Sequence, residues 1–356
     1  MSRPITCTIA AAFFVMCATQ ASAYFASSAA FTETSWTFPI SPGGFIGGMD
    51  ATKDSNGAPA VVFSESGSLY TMRTGAPEPL FTAPSPVFSS FVLADTPRQS
   101  YIFAESSGGT VSEIGFDGSF ARTIGAVALP YDAAVDASGR LFITSAASYS
   151  GPSQIVCVDR DTGQAVTIAS FEGPTGPLAI DKGGHLYYGT CASVFGQTGG
   201  QTIYTISPAQ VDAVLSGAPP LTAASLTAAA TDIDSPSDLL ALPDGRLLFS
   251  SSVRSPGRIL QVLGSEISVF AELESSSLFL TNLAWLDGSV FVNVVGLYGP
   301  NWSPYGVIVQ LVPEPATLTS LAFLGASTLL AIGCRRKHQT GGRRTVQESG
   351  GAPVNV

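Results

Sequence analysis

Six segments of the chain repeat one pattern: an apolar stretch, a turn carrying Asp and often Gly, then a strongly apolar strand. The clearest copies are Tyr131–Thr144 (YDAAVDASGRLFIT), Leu178–Gly189 (LAIDKGGHLYYG), Leu239–Ser250 (LLALPDGRLLFS) and Leu283–Asn293 (LAWLDGSVFVN). Weaker copies are Phe45–Ser64 and Phe91–Ala104. Aligned on the first apolar residue after the turn (Val61, Tyr101, Leu141, Leu186, Leu247, Val290), they are spaced by 40, 40, 45, 61 and 43 residues. A unit of that length with several short strands is one four-stranded β-propeller blade. A single such sheet cannot bury both faces alone, so the copies must stack radially, each on the next. The expected fold class is all-β: a six-bladed β-propeller between an N-terminal signal peptide and a C-terminal transmembrane helix.

The turn joins the first two strands of each blade, and Gly139, Gly184, Gly245 and Gly288 can supply the positive φ it needs. This D-x-x-G-x-apolar pattern resembles the NHL and SMP-30/gluconolactonase-like propellers, where a similar turn recurs once per blade. The long 61-residue interval reads as an insertion in blade four. Within it, Ser207-Pro208 followed by Ala209–Leu215 predicts a capped short helix with Pro at its first position, and Gly217–Thr231 an exposed loop. The last repeat lacks an outer strand. Phe31–Phe38 (FTETSWTF) alternates apolar and polar residues and is expected to supply it, closing the ring with the two chain ends.

Both ends of the chain carry address-like segments. Arg3, an apolar run from Ile5 to Ala18 and the small-x-small triplet Ala21-Ser22-Ala23 read as a secretory signal over residues 1–23, cleaved before Tyr24. The propeller then covers 24–312. Residues 313–337 begin with Pro313-Glu314-Pro315, continue as an uncharged apolar run from Ala316 to Cys334, and end in Arg335-Arg336-Lys337. At 1.5 Å per residue the helix 316–334 would span about 28 Å, close to the hydrocarbon core of a bilayer. The basic cluster would hold its end in the cytoplasm. This three-part tail resembles the PEP-CTERM sorting signal of Gram-negative bacteria. The resemblance implies an exosortase-type transpeptidase as partner, transient residence in the inner membrane, and release to the cell surface or extracellular matrix. A plain membrane anchor is the alternative. Residues 338–356 read as a disordered tail.

Between Tyr24 and Val312 there are 24 acidic and 10 basic side chains, a net charge of −14. Nucleic acid as a partner is excluded by that balance, because phosphates demand a basic face. In the exported domain only Cys157 and Cys191 remain, and they could form a disulfide or stay as two buried thiols.

Candidate chemistry is sparse. The fifth residue of each second strand nominates a ring of Glu65, Glu105, Ser145, Thr190, Ser251 and Val294. Glu65 and Glu105 from adjacent blades could hold a cation such as Ca²⁺, which prefers oxygen ligands, or simply sit at strand ends in solvent. Asp232 and Asp234, with Asp238 and Asp244 nearby, form a second candidate calcium cluster, without EF-hand spacing. Asp159–Gly163 reads as a hairpin turn, and His185 as a residue flanking a turn. The resemblance to SMP-30-like lactonases implies a divalent cation held by Glu, Asn and Asp. Glu65 could stand for the Glu, but no Asn occupies the equivalent places, and Asn293 lies one residue off the ring. Tyr298, Trp302 and Tyr305 lie in a Gly/Pro-rich loop and could stack on sugar rings or pack the loop onto the blade.

Two functions remain open on this evidence. The first is a non-enzymatic, surface-sorted binding or structural module, meeting polysaccharide or another surface protein and needing no cofactor. The other is a metal-dependent hydrolase or lyase of the SMP-30/lactonase or streptogramin-lyase type.

Overall fold

The computed structural model describes residues 23–26, 31–40, 46–54, 56–73, 75–82, 88–119, 121–194, 196–298, 301–302 and 305–313. Six sheets, each built on a four-stranded antiparallel meander, follow in chain order: blade 1 over 46–81, blade 2 over 89–126, blade 3 over 133–171, blade 4 over 178–233, blade 5 over 238–272 and blade 6 from 278 onward. The innermost strands are Ile46–Lys53, Ser89–Asp95, Ala133–Val135, Leu178–Ile180, Asp238–Ala241 and Leu278–Leu286.

The hydrophobic core is divided into six clusters, one between each pair of adjacent blades. That division explains the triple-apolar run after each turn. Leu141 and Ile143 pack towards blade 2 while Phe142 faces blade 4, and Leu247 and Phe249 pack towards blade 4 while Leu248 faces blade 6. A strand buried on both faces must be apolar throughout rather than alternating. The turn before it is built as expected. Gly139, Gly184, Gly245 and Gly288 have φ of 84°, 81°, 90° and 89°. In blade 3 the turn aspartate Asp136 accepts N–H bonds from Ser138 and Arg140 on Oδ1, both at 2.9 Å. Asp181 does the same in blade 4 for Gly183 and His185, and His185 Nδ1 lies 3.2 Å from its carboxylate.

The ring closes through the chain ends. Phe31–Pro39 pairs antiparallel with Tyr305–Pro313, with Trp36 opposite Ile308, and becomes the outer strand of blade 6. Upstream of it, Phe25 bridges Leu273 and is fully buried between blades 5 and 6.

The insertion in blade 4 begins with the expected helix, Pro208–Leu215. Ser207 Oγ accepts from Gln210 N, and Gln210 Oε1 accepts from Ser207 N, a complete capping box. Its Val211 and Val214 pack into the core between blades 3 and 4. The segment expected to be an exposed loop is different. Thr227–Ile233 is the outer strand of blade 4, paired to Gln201–Ile206, and Leu221–Thr222 pairs parallel with the outer strand of blade 3. The Ala- and Thr-rich sequence has little strand propensity of its own, and the open edge of the third strand overrides it.

Of the two alternatives left open for Cys157 and Cys191, the fold has separate thiols. Cys157 is buried between blades 3 and 4, whereas Cys191 Sγ turns towards Pro236 O at 3.5 Å, on the blade 5 side. Burial pushes the thiols up to about 11 and about 12 respectively. Denatured, non-reduced protein comprising residues 24–313 is therefore expected to take up two alkyl groups, and a mass showing none would restore the bridge.

Asp159–Gly163 is the turn between the third and fourth strands of blade 3, but Arg160 within it is buried. It pairs with Asp95 and Glu113 of blade 2, and Glu113 also pairs with Arg122. This ionic cluster fastens blade 3 to blade 2. Among the described residues no helix is long and apolar enough to cross a membrane. Residues 1–22, the segment 316–334 and Glu314, Pro315, Arg335, Arg336 and Lys337 lie outside the described residues, and Pro313 ends the last strand.

Candidate functional site

Three aspartates, Asp50, Asp132 and Asp238, belong to the innermost layer of blades 1, 3 and 5 and share one arrangement. Asp132 Oδ1 accepts from Ala133 N (2.7 Å) and Oδ2 from Leu178 N of blade 4 (2.7 Å). Asp238 accepts from Leu239 N (2.7 Å) and from Leu283 N of blade 6 (2.6 Å). Asp50 accepts from Ala51 N and Ala94 N of blade 2, both at 2.7 Å. Each carboxylate therefore clasps its own innermost strand to that of the next blade. In ladder register Asp50 lies opposite Val62, one residue past the aligned Val61, whereas Asp238 lies opposite Ser250, three past the aligned Leu247, so the two occupy different depths along the channel.

Two cavities open around these groups. One of about 520 Å³ is lined by all three aspartates together with Arg98. The other, about 350 Å³, is lined by Asp132 and Asp238 and by hydroxyl-bearing residues, among them Ser89, Ser106, Ser148 and Thr281. Asp132, Asp238 and Asn282 line both cavities and so mark the waist between them.

Among the described residues none of the three aspartates has an ion-pair partner in the fold. Burial outweighs their backbone hydrogen bonds and pushes Asp50 up to about 6 and Asp132 up to about 7. Asp238 is raised well above the ordinary carboxylate range, by burial first and by the charges of Asp132 and Asp50 next. Two carboxyl groups raised in this way can serve as acid and base.

The residues nominated from sequence lie elsewhere. Glu65 is buried at the end of the second strand of blade 1 and Glu105 ends that of blade 2; neither lines either cavity. Asp232 Oδ1 accepts from Gly200 N (2.9 Å), while Asp234 accepts from Gly199 N (2.8 Å) and pairs with Arg254 at 2.6 Å. They anchor a loop rather than form a carboxylate cage. Asn293 is buried and donates to Thr281 Oγ1 at 2.6 Å. Tyr305 is half exposed, and the side chains of Tyr298 and Trp302 lie outside the described residues.

Among the described residues no three carboxylate, thiol or imidazole groups converge on one point. Both oxygens of Asp132 and of Asp238 already accept a backbone N–H. The set does not fit a divalent cation.

No family model matches the sequence, and no curated protein does. Solved structures do resemble it. A gluconolactonase from Xanthomonas campestris is 13% identical over 78% of this chain and 88% of that one, with a TM-score of 0.55. Regucalcin from Agrobacterium tumefaciens, a calcium-binding protein, is 10% identical over 78% and 93%, with a TM-score of 0.53. Virginiamycin B lyase from Staphylococcus aureus is 12% identical over 79% and 99%, with a TM-score of 0.50. The likeness is one of fold.

Proposed function

We propose that the protein is a hydrolase or lyase working in the central channel, with Asp132 and Asp238 as its acid–base pair. The single observation behind this reading is that both groups line both cavities, where burial raises both carboxyl groups above their ordinary range. The fold neighbours favour it over a purely structural module, since a gluconolactonase and a lyase are among them. Asp132, the lower of the two, is the base. It takes a proton from water attacking a carbonyl, or from a substrate carbon beside the bond to be broken. Asp238 retains its proton and gives it to the departing oxygen. Their paired backbone hydrogen bonds hold both carboxyl groups in fixed orientation, which general catalysis requires.

A panel of lactones and of ester-linked elimination substrates tests the reading. Asp132→Asn and Asp238→Asn should each lower kcat by about 10²–10⁴-fold with the fold retained. Activity undiminished in both variants, or absent from the unaltered protein on every substrate, would reject it.

The same proposal takes the enzyme to be exported and surface-sorted through its PEP-CTERM-like tail. Tyr24 N donates to Glu33 Oε1 at 2.8 Å, so cleavage before Tyr24 would place a new ammonium against a carboxylate. Glu314→Ala should leave uncleaved precursor in the inner membrane. Intact mass of the surface-recovered protein decides: a C-terminus at Val356 means a permanent anchor.

A further inference from the structure

The smaller cavity is one-signed. Among the described residues it is lined by two carboxyl groups and by no Lys, Arg or His. Two aromatic residues line it as well, Phe88 at 59% and Tyr149 at 77% exposure. Ser89 lines the same cavity, and its buried Oγ has no hydrogen-bond partner. Burying carboxyl groups without countercharge is costly, and an unsatisfied buried hydroxyl adds to that cost. Aromatic faces beside carboxylates are the surroundings that attract organic cations, through the ring quadrupole and direct charge pairing. The domain's net charge of −14 would raise the local concentration of such a ligand.

We propose that this cavity binds an organic ammonium ion, its cationic group between Asp132 and Asp238 and its apolar part against Phe88 and Tyr149. The proposal rests on the channel being the functional site and names the class of ligand or substrate that it takes. Besides each other, the two aspartates face Asp50 and the Tyr131 phenol, whose O–H donates to Ser237 O at 2.9 Å. Arg98 lines the other cavity. A bound ammonium supplies the countercharge that Asp132 lacks, so binding must release the Asp132 proton, with Asp238 keeping its own, and strengthen as pH rises.

Choline and its neutral isostere 3,3-dimethylbutan-1-ol differ in one atom, N⁺ against C, and choline stays charged at every pH. Calorimetric titration of the full-length protein should show choline binding at least tenfold tighter than the alcohol at pH 8. Choline should also weaken about tenfold between pH 8 and pH 5.5, with proton release visible in buffers of different ionisation enthalpy. Ser89→Ala and Tyr149→Ala, which leave the clasps intact, should weaken choline several-fold without lowering the melting temperature. Equal affinity for the two probes, or no choline binding at any pH, overturns the proposal. Choline binding without turnover of any ester would sink the catalytic reading and leave the cation site standing. Turnover dependent on Asp132 that choline neither binds to nor inhibits would do the reverse.

Discussion

Phe25→Ala and Phe38→Ala are each expected to cost about 3–5 kcal/mol in urea denaturation, and deletion of residues 24–40 to leave no folded propeller. Phe25 is 1% and Phe38 4% exposed, so both substitutions open cavities in cores between blades. Phe38 stacks on Phe63 of blade 1 at 5.0 Å, and Phe25 meets the edge of Phe31 at 6.3 Å. Trp36 stacks on Phe291 at 6.5 Å. The N-terminal segment thus contributes to three interfaces: blade 5 with 6, blade 6 internally, and blade 6 with 1. A domain holds roughly 5–15 kcal/mol in total, so losing all of these contacts together removes most of it. The point variants are the cleaner measurement, because deletion also removes the ordering cost of the segment itself. A Phe38→Ala effect below about 1 kcal/mol would mean that this strand does not hold the ring closed.

That closure was legible in the sequence, as was the blade count, because both rest on patterns that survive without long-range information. The positive-φ glycine turns recur at nearly fixed spacing, and FTETSWTF alternates as an edge strand must. The helix at Pro208 was equally plain, since Ser207, Pro208 and Gln210 each sit where a capping box needs them. The site was not legible. Counting along second strands nominates Glu65 and Glu105, yet the channel is lined by the strand before, which is short and marked by no charge run. Asp238 was noticed only as part of an acidic cluster with Asp232 and Asp234. Its true counterpart is Asp132, which precedes the same apolar pair in another blade: Tyr131-Asp132-Ala133-Ala134 against Ser237-Asp238-Leu239-Leu240. That recurrence was the available signal. What no sequence pattern could supply is the partner of each carboxylate, a backbone N–H 44 to 46 residues away. The Arg160 cluster was hidden for the same reason, since its acids lie a whole blade upstream.

The aspartate clasps carry a second large expectation: the propeller should be more stable at pH 5 than at pH 8. Asp50 and Asp132 are held at about 6 and about 7, above their ordinary value of 3.8. The folded state therefore keeps protons that the unfolded chain has already lost. Stability from such groups is complete below the unfolded value and is lost as pH rises through the folded ones. For Asp50 and Asp132 together the loss between pH 5 and pH 8 is on the order of 2–4 kcal/mol, allowing for partial water access to the channel. Asp238, raised by the same burial, adds to the decline. The opposite group sets the acid limit: Asp54, Glu113, Asp136 and Asp159 are held low by arginine or backbone partners, and their contribution disappears only as pH falls below about 4. The optimum should accordingly lie near pH 4–5. At about 2–4 °C per kcal/mol for a domain of this size, the melting temperature should drop by at least about 4 °C from pH 5 to pH 8. Asp132→Asn removes the proton exchange while keeping one acceptor oxygen, so its melting temperature should be lower at pH 5 and should change less across the same range. A melting temperature that is flat or rises from pH 5 to pH 8 would mean that the channel carboxylates are solvated like surface groups. Their fitness as an acid–base pair would then fall with the clasp, because both follow from the same uncompensated burial.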